Sequence, residues 1–291
     1  MPSASHRARL LASLVLILAT LGLVSHGNAS VSVAPSRIVL EGRTFAATIY
    51  LTNRGDETRT YRIGLAKLRM LESGRIVPVG DDEPTEELFA NDLIRFSPRR
   101  CVIPPGGSQT IRLLVRRPRG DRPQNAEYRT HLSMRTIPDT PELGEISNEA
   151  EPAADSDQMS VRAVATVETL VPVIIRFGRL EAEPGIEGVD IALGPEPEVS
   201  LRLTRRGSRS LYGDLHFVHV DDRGEESDLG VVRGVAVYTP LRQREVRFPL
   251  TVPPGVDLSD GSLRVEYQET EEGGGNGHAS ASVPLTRSGT D

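Results

Sequence analysis

The side chains that most often carry out chemistry are thinly spread in this sequence. Two of its six histidines, His216 and His219, lie three residues apart in a predicted strand, which places them on opposite faces and argues against a shared metal ion. The glycine run 273–275 lacks the lysine and hydroxyl residue of a phosphate-binding loop, and the acidic run 81–87 has no fixed ligand spacing. No serine lies in a nucleophile-elbow context. The sequence therefore predicts no catalytic residue, no metal site and no cofactor, and it favours a protein that binds.

Arginine carries almost all of the positive charge, since Lys67 is the only lysine in the chain. Arg37 falls inside the first predicted strand, in APSRIVLEG at 34–42. A guanidinium can form a bidentate pair with a carboxylate, so Arg37 is a candidate anion-binding residue. The pattern alone leaves open whether Arg37 holds an anion or is a solvated strand charge, and composition favours the second.

The longest alternating run is residues 160–177, SVRAVATVETLVPVIIRF. Eight of its nine odd positions are apolar; these positions are Val161, Ala163, Ala165, Val167, Thr169, Val171, Val173, Ile175 and Phe177. This is the period of a half-buried strand. Fully extended, the run would span on the order of 60 Å, about three times a typical strand. The surplus length predicts a use beyond closing a small sandwich.

Shorter alternating runs, separated by turn residues such as PPGG at 104–107, fill the rest of the chain. The runs are 30–40, 44–52, 60–68, 108–115 and 127–137, then 199–203, 211–220, 231–238, 245–250, 263–268 and 279–285. They predict an all-β protein of two sandwiches in tandem, residues 30–178 and 179–291. The segment 139–158 has seven acids and no base, which predicts a flexible loop. Cys101 is the only cysteine, and a buried small hydrophobe is favoured there over a reactive thiol.

The chain opens with the layout of a secretory signal peptide over residues 1–29. Arg7 and Arg9 form a basic start, residues 10–24 are an apolar stretch, and small residues precede the expected cleavage point. Fifteen residues are short of the roughly twenty that cross a bilayer, so export is favoured over a membrane anchor. Cleavage removes two arginines and no acid, which moves the formal charge from −6 to −8. We expect an exported protein that is soluble outside the cytoplasm and does not bind nucleic acid.

Longer motifs resemble one known family. They are SRIVLEG at 36–42, IYLTNRGDE at 49–57, LIRFSPRRCVIPPGGSQTIRLLVRRP at 93–118, EYRTHLSMRTIP at 127–138, GSRSLYGDLHF at 207–217 and GVAVYTPLRQREVRFPL at 234–250. Together they are similar to the periplasmic chaperones of chaperone-usher pilus assembly, over essentially the whole mature chain. The resemblance implies two immunoglobulin-like β-sandwich domains in a boomerang arrangement with an interdomain cleft.

The same resemblance implies binding without a reaction. Chaperones of this family lend the last strand of domain one to an incomplete pilin sandwich, until another subunit or the usher takes over. The lent strand matches residues 160–171, with Val161, Ala163, Ala165 and Val167 entering the subunit groove. The implied partners are pilus or fimbrial subunits and the outer-membrane usher, with a self-capping homodimer when the chaperone is idle. A structural fibre subunit or adhesin built on the same sandwich is the alternative.

Two of the charged positions that are typical of the family have a matching residue in this sequence, and a third does not. Arg37 matches the cleft arginine that grips the subunit's terminal carboxylate, which reverses the preference stated above. Family members typically add a lysine on the last strand, whereas this chain has Pro172 there. Arg176 matches an arginine that bridges the domains, and we expect it to pair with Glu127. Glu269 from the second domain is expected to complete this interdomain salt bridge. The alternative is that Arg176 and Glu127 are two exposed charges, whose interaction contributes well under about 1 kcal/mol.

Overall fold

Strands are the regular secondary structure of the described residues. The computed structural model describes residues 31–137 and 166–285, and every element in these two ranges is a β-strand. The predicted signal peptide, residues 1–29, and the predicted acidic loop, residues 139–158, lie outside the described residues. No helix within the described ranges is long and apolar enough to cross a membrane.

The first sandwich is built from eleven strands. They are β1 Val31–Ala34, β2 Ile38–Glu41, β3 Ala46–Asn53, β4 Arg59–Ala66, β5 Leu68–Met70, β6 Ile76–Pro78, β7 Ile94–Ser97, β8 Arg100–Ile103, β9 Ser108–Val115, β10 Ala126–Ile137 and β11 Glu168–Phe177. One sheet has the order β1-β3-β9-β7 and the other β2-β11-β10-β4-β8, while β5 and β6 form a separate hairpin. With β1, β3, β9 and β7 as strands A, B, E and D, and β11, β10 and β4 as G, F and C, this is the strand order of an immunoglobulin fold.

Alternation of apolar and polar residues places the core of this sandwich between its two sheets. On β9, Ile111 and Leu113 are fully buried, whereas the next residue, Leu114, is exposed. Tyr128, near the start of β10, is buried and donates from its hydroxyl to the carbonyl of Pro123 at 2.7 Å. This backward hydrogen bond has the geometry of the tyrosine corner of immunoglobulin-like domains, and it ties the preceding loop to the core.

The second sandwich has seven strands. They are β12 Ala182–Ala192, β13 Glu198–Gly207, β14 Leu211–Val220, β15 Glu226–Val237, β16 Gln243–Pro249, β17 Ser262–Glu269 and β18 His278–Pro284. The sheets have the orders β12-β13-β16 and β15-β14-β17-β18, and they enclose a second apolar core. The predicted all-β fold of two immunoglobulin-like sandwiches is therefore confirmed, and the boomerang angle between them stays a prediction.

A short connection from Phe177 to Ala182 joins the two sandwiches. Gly178 in this connection has a φ of 80°, and a Cβ atom there would clash with the side chain of Asn125. Glycine is therefore required where the chain leaves the first sandwich. The domain bounds expected from the sequence, 30–178 and 179–291, stay a prediction.

β11 is paired on both sides along only part of its length. Its antiparallel pairing with β10 runs from Glu168 opposite Arg135 to Phe177 opposite Ala126. Its parallel pairing with β2 begins only at Val173, opposite Ile38. From Glu168 to Pro172, β11 therefore has an open edge among the described residues. An open edge of this kind presents unpaired backbone groups to another strand.

Candidate binding site between the two sandwiches

The two sandwiches pack together through a small apolar cluster and several polar contacts. The buried members of the cluster are Met70 and Ile174 from the first sandwich and Ala236 and Tyr238 from the second. A backbone hydrogen bond of 2.7 Å also joins the amide of Glu245 to the carbonyl of Glu72. Tyr238 of this cluster also contacts the side chains of Arg37 and Arg129, which are described next.

Arg37 lies at this junction, directly before β2. Its guanidinium is enclosed by two tyrosines of the second sandwich, with Cζ 4.0 Å from the ring centroid of Tyr212 and 5.4 Å from that of Tyr238. Nη1 donates to the Tyr238 hydroxyl at 3.0 Å. These contacts fix the side chain, which is only 6% exposed. Tyr212 lies in β14 and Tyr238 directly follows β15, so the site exists only when the two sandwiches are together.

Arg37 has hydrogen-bonding capacity that the described chain does not use. Its Nε and Nη2 atoms are buried without a hydrogen-bond partner, and no salt bridge to it forms among the described residues. Burying a cation with unpaired donors is costly, and such groups concentrate at functional sites. Nε and one Nη are two donors of the kind that pair with the two oxygens of a carboxylate.

Two further side chains of β10, Arg129 and His131, face the same junction. The Arg129 Cζ lies 4.2 Å from the Tyr238 ring centroid, and the His131 ring meets Tyr238 edge-on at 6.5 Å. The His131 Nδ1 and the Arg129 Nε and Nη1 are buried without a partner in the described structure. The site therefore contains two guanidiniums and an imidazole around one tyrosine.

The positive charge of this site belongs to the arginines. Burial, and then the charges of Arg129 and Arg37, lowers the pKa of His131 to about 3, so the imidazole is neutral at physiological pH. Burial also lowers the pKa of Arg129, although Tyr238 and nearby carboxylates partly oppose this effect. Arginine nevertheless stays protonated in proteins. An anion entering the junction would meet two fixed cations.

Pro172, at the position where the resemblance implies a lysine, lies on β11 at the end of its open edge. It is opposite His131 on β10, and it directly precedes Val173, the first residue of β11 that pairs with β2. Lys67 is not a free substitute for that lysine, because its ammonium group pairs with Asp81 at 2.8 Å.

Glu127 forms a buried network with partners from both sandwiches. Arg176, opposite it on the neighbouring strand, donates from Nε at 3.1 Å, and also pairs through Nη1 with Glu41 at 3.3 Å. From the second sandwich, the Ser210 amide donates to Glu127 at 3.0 Å, and the hydroxyls of Ser210 and Thr239 donate as well. The Arg176–Glu127 pair thus lies within the first sandwich, and Ser210 and Thr239 make the connection between domains.

Glu269 has a different partner from the one expected. It forms a buried bidentate pair with Arg209 and accepts from the amide of Gly277 at 3.0 Å. The expectation that Glu269 completes the Arg176 pair is therefore wrong. Arg209 and Glu269 both belong to the second sandwich, where Arg209 directly precedes Ser210 and supports the segment that binds Glu127.

Of the four residues expected to enter a subunit groove, one lies in the described part of the chain. Val167 is 49% exposed and lies just before β11, and its carbonyl accepts from the Thr136 amide at 3.0 Å. Val161, Ala163 and Ala165 lie outside the described residues.

Sequence reasoning missed four residues of the site: Arg129, His131, Tyr212 and Tyr238. A signal for the first two was present, because two basic residues at alternate positions of a strand expected to be central share one face. The tyrosines gave no such signal, since only the packing of the domains brings them to Arg37. No group of metal-ligating side chains that could hold an ion occurs in the described ranges.

Known structures superpose on this chain loosely. No family model matches the chain, and no curated protein matches it. The chain is similar to the E. coli chaperone DraB, with 12% identity and a TM-score of 0.44 over 87% of this chain and 95% of that one. It is also similar to a chain in the CsuC–CsuE chaperone–tip adhesion subunit complex of Acinetobacter baumannii, with 12% identity and a TM-score of 0.42 over 89% and 99%.

Proposed function

We propose that this protein is a periplasmic chaperone that binds, folds and caps pilus or fimbrial subunits. It does so by adding the edge of its long strand, about residues 160–171, to the open sheet of a subunit, and by holding the subunit's C-terminal carboxylate at Arg37. It then passes the subunit to an outer-membrane usher. No reaction is part of this function.

The observation that carries the proposal is the end-to-end arrangement of the open edge and β2. A partner strand that pairs parallel to β11 along Glu168–Pro172 runs in the direction of β2 and stops where β2 begins. The residue at that point is Arg37, whose Nε and Nη2 lack acceptors. A strand that ends there brings its terminal carboxylate to a buried guanidinium with two free donors.

Side-chain direction along the strand supports the same proposal. Val171 and Val173 point into the core of the first sandwich, and Val167 is on the same face by alternation. We propose that Val161, Ala163, Ala165 and Val167 continue this apolar row into the subunit. Small alanines in the row fit shallow pockets.

The alternative, a fibre subunit or adhesin, is not favoured by the strand inventory. A subunit that waits for a donated strand lacks the last strand of its own sandwich. Here the first sandwich contains its last strand, β11, and the second contains β18. Each described domain is thus complete, as is expected of the protein that lends a strand.

Co-expression in the periplasm with each pilus subunit of the source organism tests the proposal. Arg37→Glu and Ala165→Asp should stay folded and should lose the complex on size-exclusion chromatography. Leu114→Asp, at an exposed residue of β9 in the other sheet, is the control and should keep it. Recovery of the complex at the wild-type level with both Arg37→Glu and Ala165→Asp would contradict strand lending.

A further inference from the structure

Arg129 has hydrogen-bonding capacity that nothing in the described chain satisfies. It is 4% exposed, and its Nε and Nη1 atoms are buried without partners. Its one hydrogen bond, from Nη2 to the carbonyl of Thr239, is long at 3.5 Å. A buried guanidinium in this state needs an acceptor from elsewhere.

The guanidiniums of Arg129 and Arg37 both lie beside the ring of Tyr238. Their Cζ atoms lie 4.2 and 5.4 Å from the ring centroid of Tyr238, so the two charges are separated by no more than these two distances combined. Like charges at such a separation repel each other in a buried site. An anion placed between them would relieve the repulsion and would supply acceptors to both.

A ligand can reach Arg129 through a surface pocket. The pocket has a volume of about 650 Å³ and lies between the sandwiches, where Arg129, Tyr238 and Leu241 line it. Its other arginine, Arg69, is already paired with Glu87 at 2.6 Å. Arg129 is therefore the lining cation whose donors remain free.

We propose that Arg129 is a second carboxylate-binding residue, which acts with Arg37 on the terminal carboxylate of the partner strand. The inference rests on the function proposed above, because that function places a strand terminus at Arg37. Tyr238 positions both guanidiniums, through its hydroxyl for Arg37 and its ring for Arg129. The ligand class is a peptide with a free C-terminal carboxylate.

The test uses an N-acetylated tetrapeptide ending in valine, either as the free acid or as the C-terminal amide. The mature protein, labelled with ¹⁵N-arginine, is titrated while the Nε–H resonances of Arg37 and Arg129 are followed by NMR; Arg37→Lys and Arg129→Lys assign them. Both resonances should shift with the acid and not with the amide. Arg129→Gln and Arg37→Gln should each weaken binding of the acid about tenfold to a hundredfold, which is the expected loss of a charge-assisted hydrogen bond. Arg129→Lys should recover part of the affinity, and the exposed Arg95→Gln should leave it unchanged.

Each outcome has a distinct meaning. If Arg129→Gln binds the acid as tightly as the wild type while Arg37→Gln does not, the role of Arg129 is overturned and the chaperone function stands. If Arg129→Gln lowers the melting temperature and weakens acid and amide equally, Arg129 only clamps Tyr238, and the inference again fails. Acid-specific shifts at both arginines, combined with unchanged subunit complexes in Arg37→Glu and Ala165→Asp, would retain the anion site and overturn the chaperone function.

Discussion

Replacing Glu127 with alanine should lower the free energy of unfolding by about 3–5 kcal/mol. The carboxylate is buried and accepts from Arg176 at 3.1 Å and from the Ser210 amide at 3.0 Å. Without it, Arg176 would keep only Glu41, whose side chain is 61% exposed and 3.3 Å away, and its Nη2 already lacks a partner. The loss is large because a buried cation would be left nearly unpaired, together with a buried amide.

Urea unfolding followed by circular dichroism measures this loss, with Glu226→Ala as the matched control. Glu226 pairs through both oxygens with Arg264, but its side chain is 54% exposed, so solvent screens the pair and its removal should cost far less than that of Glu127. Because Ser210 and Thr239 belong to the second sandwich, Glu127→Ala should also separate the unfolding of the two domains into two transitions. A destabilisation no larger than that of Glu226→Ala, in a single transition, would refute the role of this network.

Three further predictions follow from burial. The pKa of His131 is about 3 in the folded protein and about 6.5 in the unfolded chain, so the unfolded chain takes up a proton first as the pH falls. His131 should therefore lower the free energy of unfolding by about 2 kcal/mol between pH 7 and pH 5. His131→Gln should remove that part of the pH dependence in urea titrations, and the exposed His216→Gln should not. Burial raises the pKa of the Cys101 thiol, so iodoacetamide at pH 8 should alkylate it far more slowly in the native protein than in urea; equal rates would contradict its burial. Tyr128→Phe removes the hydrogen bond to Pro123 and should cost about 1 kcal/mol by denaturant unfolding, whereas an unchanged midpoint would show that this bond has no net value.

Alternation in the sequence predicts the central strands well, because their two faces differ in burial. The runs predicted at 108–115 and 211–220 coincide with β9 and β14. β12 was missed, since it contains Pro184 and two glycines and its register with β13 shifts between Glu187 and Asp190. It lies at the edge of its sheet, where proline and bulges are tolerated. Local sequence pattern therefore fails to predict this edge strand, because an edge position tolerates residues that a central strand excludes.

The candidate site was predictable only in part, for a reason of topology. Arg37 and the Arg176–Glu127 pair were both predicted through the resemblance to a family, and not from the local pattern. Tyr238 contacts Arg37 across 201 residues of chain, and no local pattern encodes such a contact. The partner of Glu269 was mistaken for the same reason, since Arg209 lies on a loop whose position depends on the second sandwich.

The open edge of β11 stops at Pro172, in line with β2, and it would also fix the register of a bound partner strand. If a chain terminus is fixed at Arg37, every residue of the bound strand is assigned a position by counting back from that terminus, and alternate residues face opposite sides. Adding or deleting one residue at the end would then turn each of its side chains to the wrong face. Selection among partners would therefore depend on the distance of their apolar residues from the last one, in addition to their identity.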